Sequence, residues 1–201
     1  MKKLLEDFYL QEDVLGVGKK LLGKFLFTKT SKGRITGGMI VETESYKGPS
    51  DKASHAYLGK KTKKNGKMYE KGGIAYVYIC YGMYNLLNVV TNKKDIPHAV
   101  LIRAIEPTEG LDIMLKRRKL KKMQRNLTAG PGVLCQALNI TKKQNGLSFA
   151  SFHLWLEDRD IFINEKDIIC SKRVGIDYAK EHADLPWRFR IKGSLWTSIA
   201  K

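Results

Sequence analysis

Cysteine is scarce in this chain, and the few cysteines follow no metal-binding or disulfide pattern. Among 201 residues there are only Cys80, Cys135 and Cys170, which are odd in number, far apart and never in C-x-x-C spacing. This spacing argues against a zinc site and against a disulfide framework. We therefore expect no metal, no cofactor and a reduced, cytoplasmic setting, with association with the nucleoid if the source is bacterial.

Long hydrophobic runs are also lacking. Residues 74 to 90 carry no charge, but this run is shorter than the ~20 apolar residues that a membrane span needs. The N-terminal segment Met1 to Asp7 reaches acidic residues before any apolar core of an export signal could form. With no internal repeat and no low-complexity linker, we expect one domain over residues 1–201, no membrane association and a monomer.

Acidic residues are few relative to basic ones. The chain has 20 Asp and Glu against 37 Lys and Arg, a net charge of +17, which favours a polyanionic partner such as nucleic acid. Charge that serves only solubility would be spread evenly. It is clustered instead: residues 52–71 hold seven lysines and one glutamate, and a ten-residue stretch without acids holds Lys116, Arg117, Arg118, Lys119, Lys121, Lys122 and Arg125.

Tyrosine is concentrated in one stretch, residues 75–90, where four tyrosines flank Gly82. The pattern predicts a strand, a tight turn at Gly82 and a returning strand. Tyr76 and Tyr78 would then share one face, while Tyr81 would lie beside the turn and stand clear of the sheet. A core hairpin with aromatic packing is the alternative.

Two carboxylates and a phenol alternate along residues 39–46. In a strand, Glu42, Glu44 and Tyr46 share one face with Ile40. If that face borders a cleft, Glu44 becomes an acid or base beside an aromatic platform; if it faces solvent, these are ordinary polar residues. Arg103 interrupts an apolar strand, residues 99–105, and needs a carboxylate such as Glu44 if it points inward.

The remaining pattern alternates helices and short strands. We expect a helix within residues 13–22, a hairpin at 24–35 leading into a strand from about Gly38 to Tyr46, and a helix start at 106–112. The glycine turn at Gly130 precedes another helix, whose first amides would bind phosphate or form a plain junction. Strands are expected at 154–156, 161–163, 168–170 and 187–191, and a short helix at 178–182.

Four ordered blocks together resemble the alkyladenine (3-methyladenine) DNA glycosylases. They are the run from Val41 to Asp51 with His55, the run from Tyr76 to Tyr84 with Asn88, the run from Leu101 to Pro107, and Gly130-Pro131. The similarity extends from about residue 8 to residue 198 and includes residues 173–175 and 193–198.

The resemblance implies a mixed α/β (α+β) domain with a curved, mostly antiparallel sheet flanked by helices and a protruding hairpin that intercalates into DNA. The implied activity is excision of alkylated or deaminated purines from double-stranded DNA. By matching position, Glu44 would be the general base with Arg103 as its partner. The base pocket would comprise Tyr46, His55, Tyr78 and Asn88. Tyr81 would fill the gap in the duplex. Contacts with the DNA backbone are expected from Lys116, Arg117, Arg118, Lys121, Gly130 and Ser194.

The chain departs from the family pattern in one loop. Where many members have Thr-Pro-Arg-Asn before a Met-Phe pair, residues 62–69 read Thr-Lys-Lys-Asn-Gly-Lys-Met-Tyr.

Two other functions compete with the glycosylase. A non-catalytic nucleic-acid binder explains charge and tyrosines but not the pairing of Glu44 with Arg103. A carbohydrate hydrolase explains paired carboxylates but not a charge of +17.

Overall fold

A computed structural model describes residues 2–199. Four α-helices and nine β-strands alternate with short 3₁₀ turns. The helices are α1 (Glu6–Tyr9), α2 (Val14–Lys20), α3 (Leu111–Arg118) and α4 (Pro131–Leu138). The strands are β1 (Lys2–Lys3), β2 (Phe25–Lys29), β3 (Ile35–Tyr46), β4 (Ala75–Cys80), β5 (Tyr84–Thr91), β6 (His98–Glu109), β7 (Leu154–Asp158), β8 (Ile168–Ser171) and β9 (Arg188–Ile191).

All nine strands join one antiparallel sheet, as predicted. Seven follow the order β1-β7-β2-β3-β6-β5-β4, and β9 pairs with both β3 and β8. The long strand β3 is therefore bordered by β6 on one side, and on the other by β2 along its first half and by β9 at residues 42–44. Its second half has a neighbouring strand on each side, and the polar side chains of residues 42–45 there are buried.

The pairing of β3 with β6 has three register shifts, and two of them are β-bulges beside Glu42. Ile40 pairs with Ile105 and Glu42 with Ala104, so Val41 is an extra residue on β3. Thr43 pairs with Ile102, which makes Arg103 an extra residue on β6. Bulges bend a strand and redirect side chains, and they are common beside active sites. Here the bulge at Arg103 lies opposite the two carboxylates of β3.

The helices cover the sheet with the residues that their periodicity predicts. Asp13 caps α2 by accepting a hydrogen bond from the Leu15 amide, and Val14, Val17 and Leu21 are buried in the main core. Pro131 opens α4, whose inward residues are Leu134, Ala137 and Leu138. No helix among residues 2–199 is long and apolar enough to cross a membrane.

Three predictions of secondary structure are wrong in detail. Residues 106–109 continue β6, where Pro107 pairs with Gly38 next to a register shift. Helix α3 begins only at Leu111, after left-handed Gly110. Residues 161–163 form no strand. The strand expected from about Gly38 begins at Ile35, continuous with the β2–β3 hairpin.

Gly38 allows close approach of β3 and β6, and replacing it with alanine should destabilise the protein. An added Cβ would lie 2.0 Å from the Glu106 carbonyl oxygen and 2.8 Å from the Pro107 Cα. We expect Gly38→Ala to lower the free energy of unfolding by at least about 2 kcal/mol, since these backbone atoms cannot yield without parting the strands. Urea denaturation measures this. Gly66→Ala is the control, because its Cβ would meet no atom within 4 Å; equal losses for the two variants would contradict the prediction.

Candidate active site

A cavity of about 740 Å³ opens beside the hairpin formed by β4 and β5. Most of the residues predicted for the site share it. The predicted residues on its wall are Tyr46, His55, Tyr78, Tyr81, Asn88, Arg103 and Gly130. The loop carrying Val174 and Gly175 and the start of α4 complete the wall. Residues far apart in the chain therefore meet at one concave site.

Glu44 lies directly behind this wall and is fully buried. Its Oε1 accepts hydrogen bonds from the Val174 amide at 2.8 Å and lies 3.2 Å from Nη1 of Arg103. Its Oε2 accepts from the Tyr46 hydroxyl at 2.8 Å. The three partners all line the cavity, so a single layer of residues separates the carboxylate from the open space. The solvent-facing alternative for β3 is wrong.

The number of donors around Glu44 leaves room for one more. A carboxylate offers about four acceptor positions, two on each oxygen. Val174 donates to Oε1, which Nη1 of Arg103 also faces at 3.2 Å, and Tyr46 donates to Oε2. One position on Oε2 therefore has no donor, and because Glu44 has no exposed surface, a water molecule reaches it only when a wall residue such as Tyr46 shifts. Burial and then the Glu44 carboxylate raise the pKa of Tyr46 well above its ordinary value, so the phenol stays protonated and remains a donor.

Arg103 is held charged between two carboxylates. Burial alone would lower the pKa of this guanidinium, but Glu44 and Glu42 raise it above its ordinary value. Nε of Arg103 donates to Glu42 Oε1 at 2.9 Å while Nη1 faces Glu44. The predicted pairing of Arg103 with Glu44 is therefore present, and Glu42 is a second partner.

A buried ion pair fixes the ring of Tyr46 from behind. Arg173 donates to both carboxylate oxygens of Asp51, with Nη2 2.9 Å from Oδ1, and neither side chain has exposed surface. The guanidinium carbon lies 4.8 Å from the centre of the Tyr46 ring and 5.0 Å from that of Trp187. The pair also anchors the loop that presents the amide of Val174 to Glu44.

The opposite wall is aromatic. His55 Nδ1 lies 2.8 Å from the hydroxyl of Tyr76, and the His55 ring contacts Tyr78 edge-on, with 4.6 Å between centroids. Desolvation and the nearby ammonium of Lys64 lower the pKa of His55, which favours a neutral ring at pH 7. Asn88 donates from Nδ2 to the Tyr76 carbonyl at 3.1 Å, which fixes the orientation of its amide at the cavity wall.

The divergent lysine loop is part of this wall. Asn65 is buried and donates to the carbonyl oxygens of His55 and Lys60, while its own oxygen accepts from the Thr62 amide. The asparagine thus closes the loop and holds His55 in place. Lys64 lines the cavity, with its ammonium 5.9 Å from the centre of the Tyr78 ring.

The tip of the β4–β5 hairpin carries exposed apolar side chains. Cys80 pairs with Tyr84, so residues 81–83 form the loop. Tyr81 has a positive φ of 48° and is 83% exposed, and Met83 is 66% exposed. A core hairpin would bury these side chains. Tyr76 is buried, however, so the core alternative holds for the base of the hairpin and fails at its tip.

The residues predicted to contact the DNA backbone lie in different surroundings. Lys116 and Lys121 are exposed and form no ion pair among residues 2–199. Arg117 donates to the Ala137 carbonyl at 2.8 Å, and Arg118 donates to the Asn126 carbonyl at 3.0 Å, so both guanidiniums also serve the fold. The hydroxyl of Ser194 accepts from the Trp196 amide within a turn. Their role toward DNA stays a prediction.

Sequence patterns missed several groups at the site. The backbone amide of Val174 leaves no trace in a sequence, and neither does the contact of Ser198 with Glu42, 156 residues away. Tyr178 also lines the cavity. The two-residue period did place Glu42 on the face of Glu44, but it gave no role for it. No group of three His, Cys, Asp or Glu side chains in the described part of the chain could hold a metal ion.

Comparison with known proteins assigns the family. The sequence pattern of the family described as methylpurine-DNA glycosylase (MPG) matches residues 7–195. Three relatives each carry the name "Putative 3-methyladenine DNA glycosylase". The chain is 50% identical to that of Chlamydia felis (94% of this chain, 95% of the relative) and 51% identical to that of Chlamydia abortus (94% and 97%). It is 47% identical to that of Clostridium novyi (98% and 99%).

The fold and the cavity thus belong to a DNA N-glycosylase, a hydrolase. The chain belongs to the methylpurine-DNA glycosylase family. The resemblance carried by the four sequence blocks is confirmed over nearly the whole chain, as is the mixed α/β fold with its antiparallel sheet.

The buried pair of Asp51 with Arg173 should matter far more for stability than a surface pair. Asp51→Asn leaves the guanidinium of Arg173 buried without its counter-charge, which should cost about 3 kcal/mol. Asp184→Asn, which removes an exposed contact with Lys172 (69% exposure for each side chain), should cost less than about 1 kcal/mol. Urea denaturation of both variants measures the difference. Similar losses would show that the buried pair does not stabilise the loop behind Tyr46.

Proposed function

We propose that this protein excises alkylated or deaminated purines from double-stranded DNA, flipping the nucleotide into the cavity and hydrolysing its N-glycosidic bond with water activated by Glu44. The class of lesions is that of 3-methyladenine, 7-methylguanine, hypoxanthine and ethenoadenine. The observation that carries the proposal is the position of Glu44. It is fully buried one residue behind an aromatic cavity, and one acceptor position on its Oε2 has no donor. The family supports the substrate. We propose that it works as a monomer in the cytoplasm.

Base flipping suits both the cavity and the exposed hairpin tip. A base inside the duplex cannot be reached, and extruding it costs a few kcal/mol, least for damaged or poorly paired bases. Tyr81, exposed on a stiff hairpin, would occupy the gap and offset part of this cost. In the cavity, Tyr46 and Tyr78 would stack on the two faces of the purine, with His55 at its edge and Asn88 as a polar filter.

The chemistry follows from the charges that develop during bond cleavage. An alkylated purine already carries positive charge. The charge favours stacking of the purine on tyrosine and makes the purine a good leaving group. The sugar gains oxocarbenium character as the bond breaks. Glu44 would deprotonate the attacking water and offset charge on the sugar, while Arg103 and the Val174 amide keep its other oxygen occupied. Hypoxanthine and ethenoadenine would in addition need a proton as they leave.

A non-catalytic nucleic-acid binder is the alternative function. The basic residues and tyrosines would serve it equally well, but it gives no reason to bury Glu44 and Arg103 together beside the cavity. Burying two charged groups is costly even when they are paired, so a function that needs both explains the arrangement better. This arrangement therefore favours the hydrolase.

Replacing the proposed base should stop chemistry and spare binding. Glu44→Gln keeps the size of the side chain but loses its charge and cannot take a proton, so we expect base release to slow by roughly 10²- to 10⁴-fold. The assay is single-turnover release of free base from duplex DNA with one hypoxanthine or methylated purine, with DNA affinity measured in parallel. Glu157→Gln, a buried glutamate on β7 outside the cavity, is the control. Base release at the native rate by Glu44→Gln would remove Glu44 as the base. Binding without release by every form, native included, would favour the binder.

Removing the Tyr81 side chain from the tip of the hairpin should weaken binding to duplex DNA. Tyr81→Ala should lower affinity for duplex DNA holding an abasic-site analogue by roughly 5- to 200-fold, since one stacked aromatic contributes about 1–3 kcal/mol. Phe162→Ala is a matched control, because Phe162 is also 83% exposed but does not line the cavity. Fluorescence anisotropy measures both affinities. Equal effects of the two substitutions would exclude a specific role for the tip.

A further inference from the structure

Glu42 is a second carboxylate at the site, and its surroundings differ from those of Glu44. It is fully buried, and its Oε1 accepts from Nε of Arg103 at 2.9 Å, Nε of Arg188 at 2.7 Å and the hydroxyl of Ser198 at 2.8 Å. Its Oε2 accepts from the Ser198 amide at 2.5 Å. Three of these donors reach Oε1 and one reaches Oε2, and Glu42 does not border the cavity, so it is not placed to act as a base.

The charges around Glu42 favour its ionised form. Burial alone would raise its pKa, but Arg103, Arg188 and the hydrogen bonds from Ser198 together lower it below the ordinary value. Two carboxylates, Glu42 and Glu44, thus face two guanidiniums, Arg103 and Arg188, all at most 6% exposed. The cluster is neutral in sum, which is the condition for burying charges without a large cost.

Each nitrogen of the Arg103 guanidinium has a different partner. Nε donates to Glu42, Nη1 lies 3.2 Å from Glu44, and Nη2 donates to the hydroxyl of Ser198 at 3.3 Å. Two of these three contacts therefore turn the guanidinium away from Glu44. Without them, the fork of an arginine tends to bind a carboxylate through two parallel hydrogen bonds.

A two-pronged contact with Glu44 would harm the proposed reaction. It would place a donor on both carboxylate oxygens and occupy the position on Oε2 that Tyr46 leaves open. The attacking water would then lose its acceptor. In the arrangement seen here, Nη1 of Arg103 faces only Oε1 of Glu44, at 3.2 Å.

We propose that Glu42, together with Ser198, positions Arg103 so that it contacts only one oxygen of Glu44 and leaves the other free to bind the attacking water. Glu42 and Ser198 are positioning residues, since neither touches the cavity. The inference rests on the proposed function of Glu44. It assigns a role to a carboxylate that the glycosylase chemistry does not otherwise require.

Glu42→Gln tests the role of the charge. We expect single-turnover base release at saturating enzyme to slow by roughly 10- to 100-fold, because a small misplacement near the reacting atoms has effects of this size. Affinity for DNA with an abasic-site analogue should stay within about threefold of native, since Glu42 lies outside the cavity. Glu157→Gln is the matched control: it too neutralises a buried glutamate paired with an arginine, Arg159, but on β7.

Ser198→Ala is the second variant, in case Glu42→Gln fails to fold. It removes the hydroxyl that bonds Glu42 and Arg103 without changing a charge, and we expect base release to slow severalfold with native DNA affinity. Native rates for folded Glu42→Gln, or for Ser198→Ala if only that variant folds, would overturn the inference. So would slowing that merely follows the loss of folded protein in thermal melts. If the native protein itself releases no base, the proposed function has failed instead.

Discussion

The neutral cluster of four buried charges between β3, β6 and β9 is the constraint on which the site depends. Glu42 and Glu44 come from one strand, and Arg103 and Arg188 from its two neighbours. Removing any one of them would leave an unpaired charge in the interior of the sheet, which is far more costly than losing a surface contact. The proposed catalysis and the stability of the sheet therefore depend on the same residues.

The cluster also explains why the sheet is irregular where it is. A regular ladder would place Arg103 opposite a single residue of β3, but the bulge makes it the extra residue of β6. The second bulge, at Val41, restores the pairing on the other side of Glu42. Together they bring one guanidinium within reach of two carboxylates on alternate positions of a strand. The geometry of the backbone thus serves the placement of charge.

Much of the site could be predicted from the sequence because its signals are local. The two-residue period places Glu44 and Tyr46 on one face, and a charged residue such as Arg103 inside an apolar strand needs a partner. Resemblance to a family added His55, Tyr78 and Asn88. The rest depends on contacts distant in sequence or on the backbone. The amide of Val174 has no side-chain signature, and burial of Glu42 becomes evident only when β9 is seen beside β3.

The contact between Glu42 and Ser198 spans 156 residues. Contacts of such long range are slow to form, because a large loop must close before they contribute any stability. During synthesis, Glu42 emerges long before Ser198 exists, and the cluster cannot reach neutrality until Arg103, Arg188 and Ser198 have all docked. The pairing around Glu42 is thus complete only after residue 198 has been synthesised. A chain that ends before Ser198 would already contain the basic residues of 52–71 and 116–125, but it would lack a hydrogen-bond donor to each oxygen of Glu42.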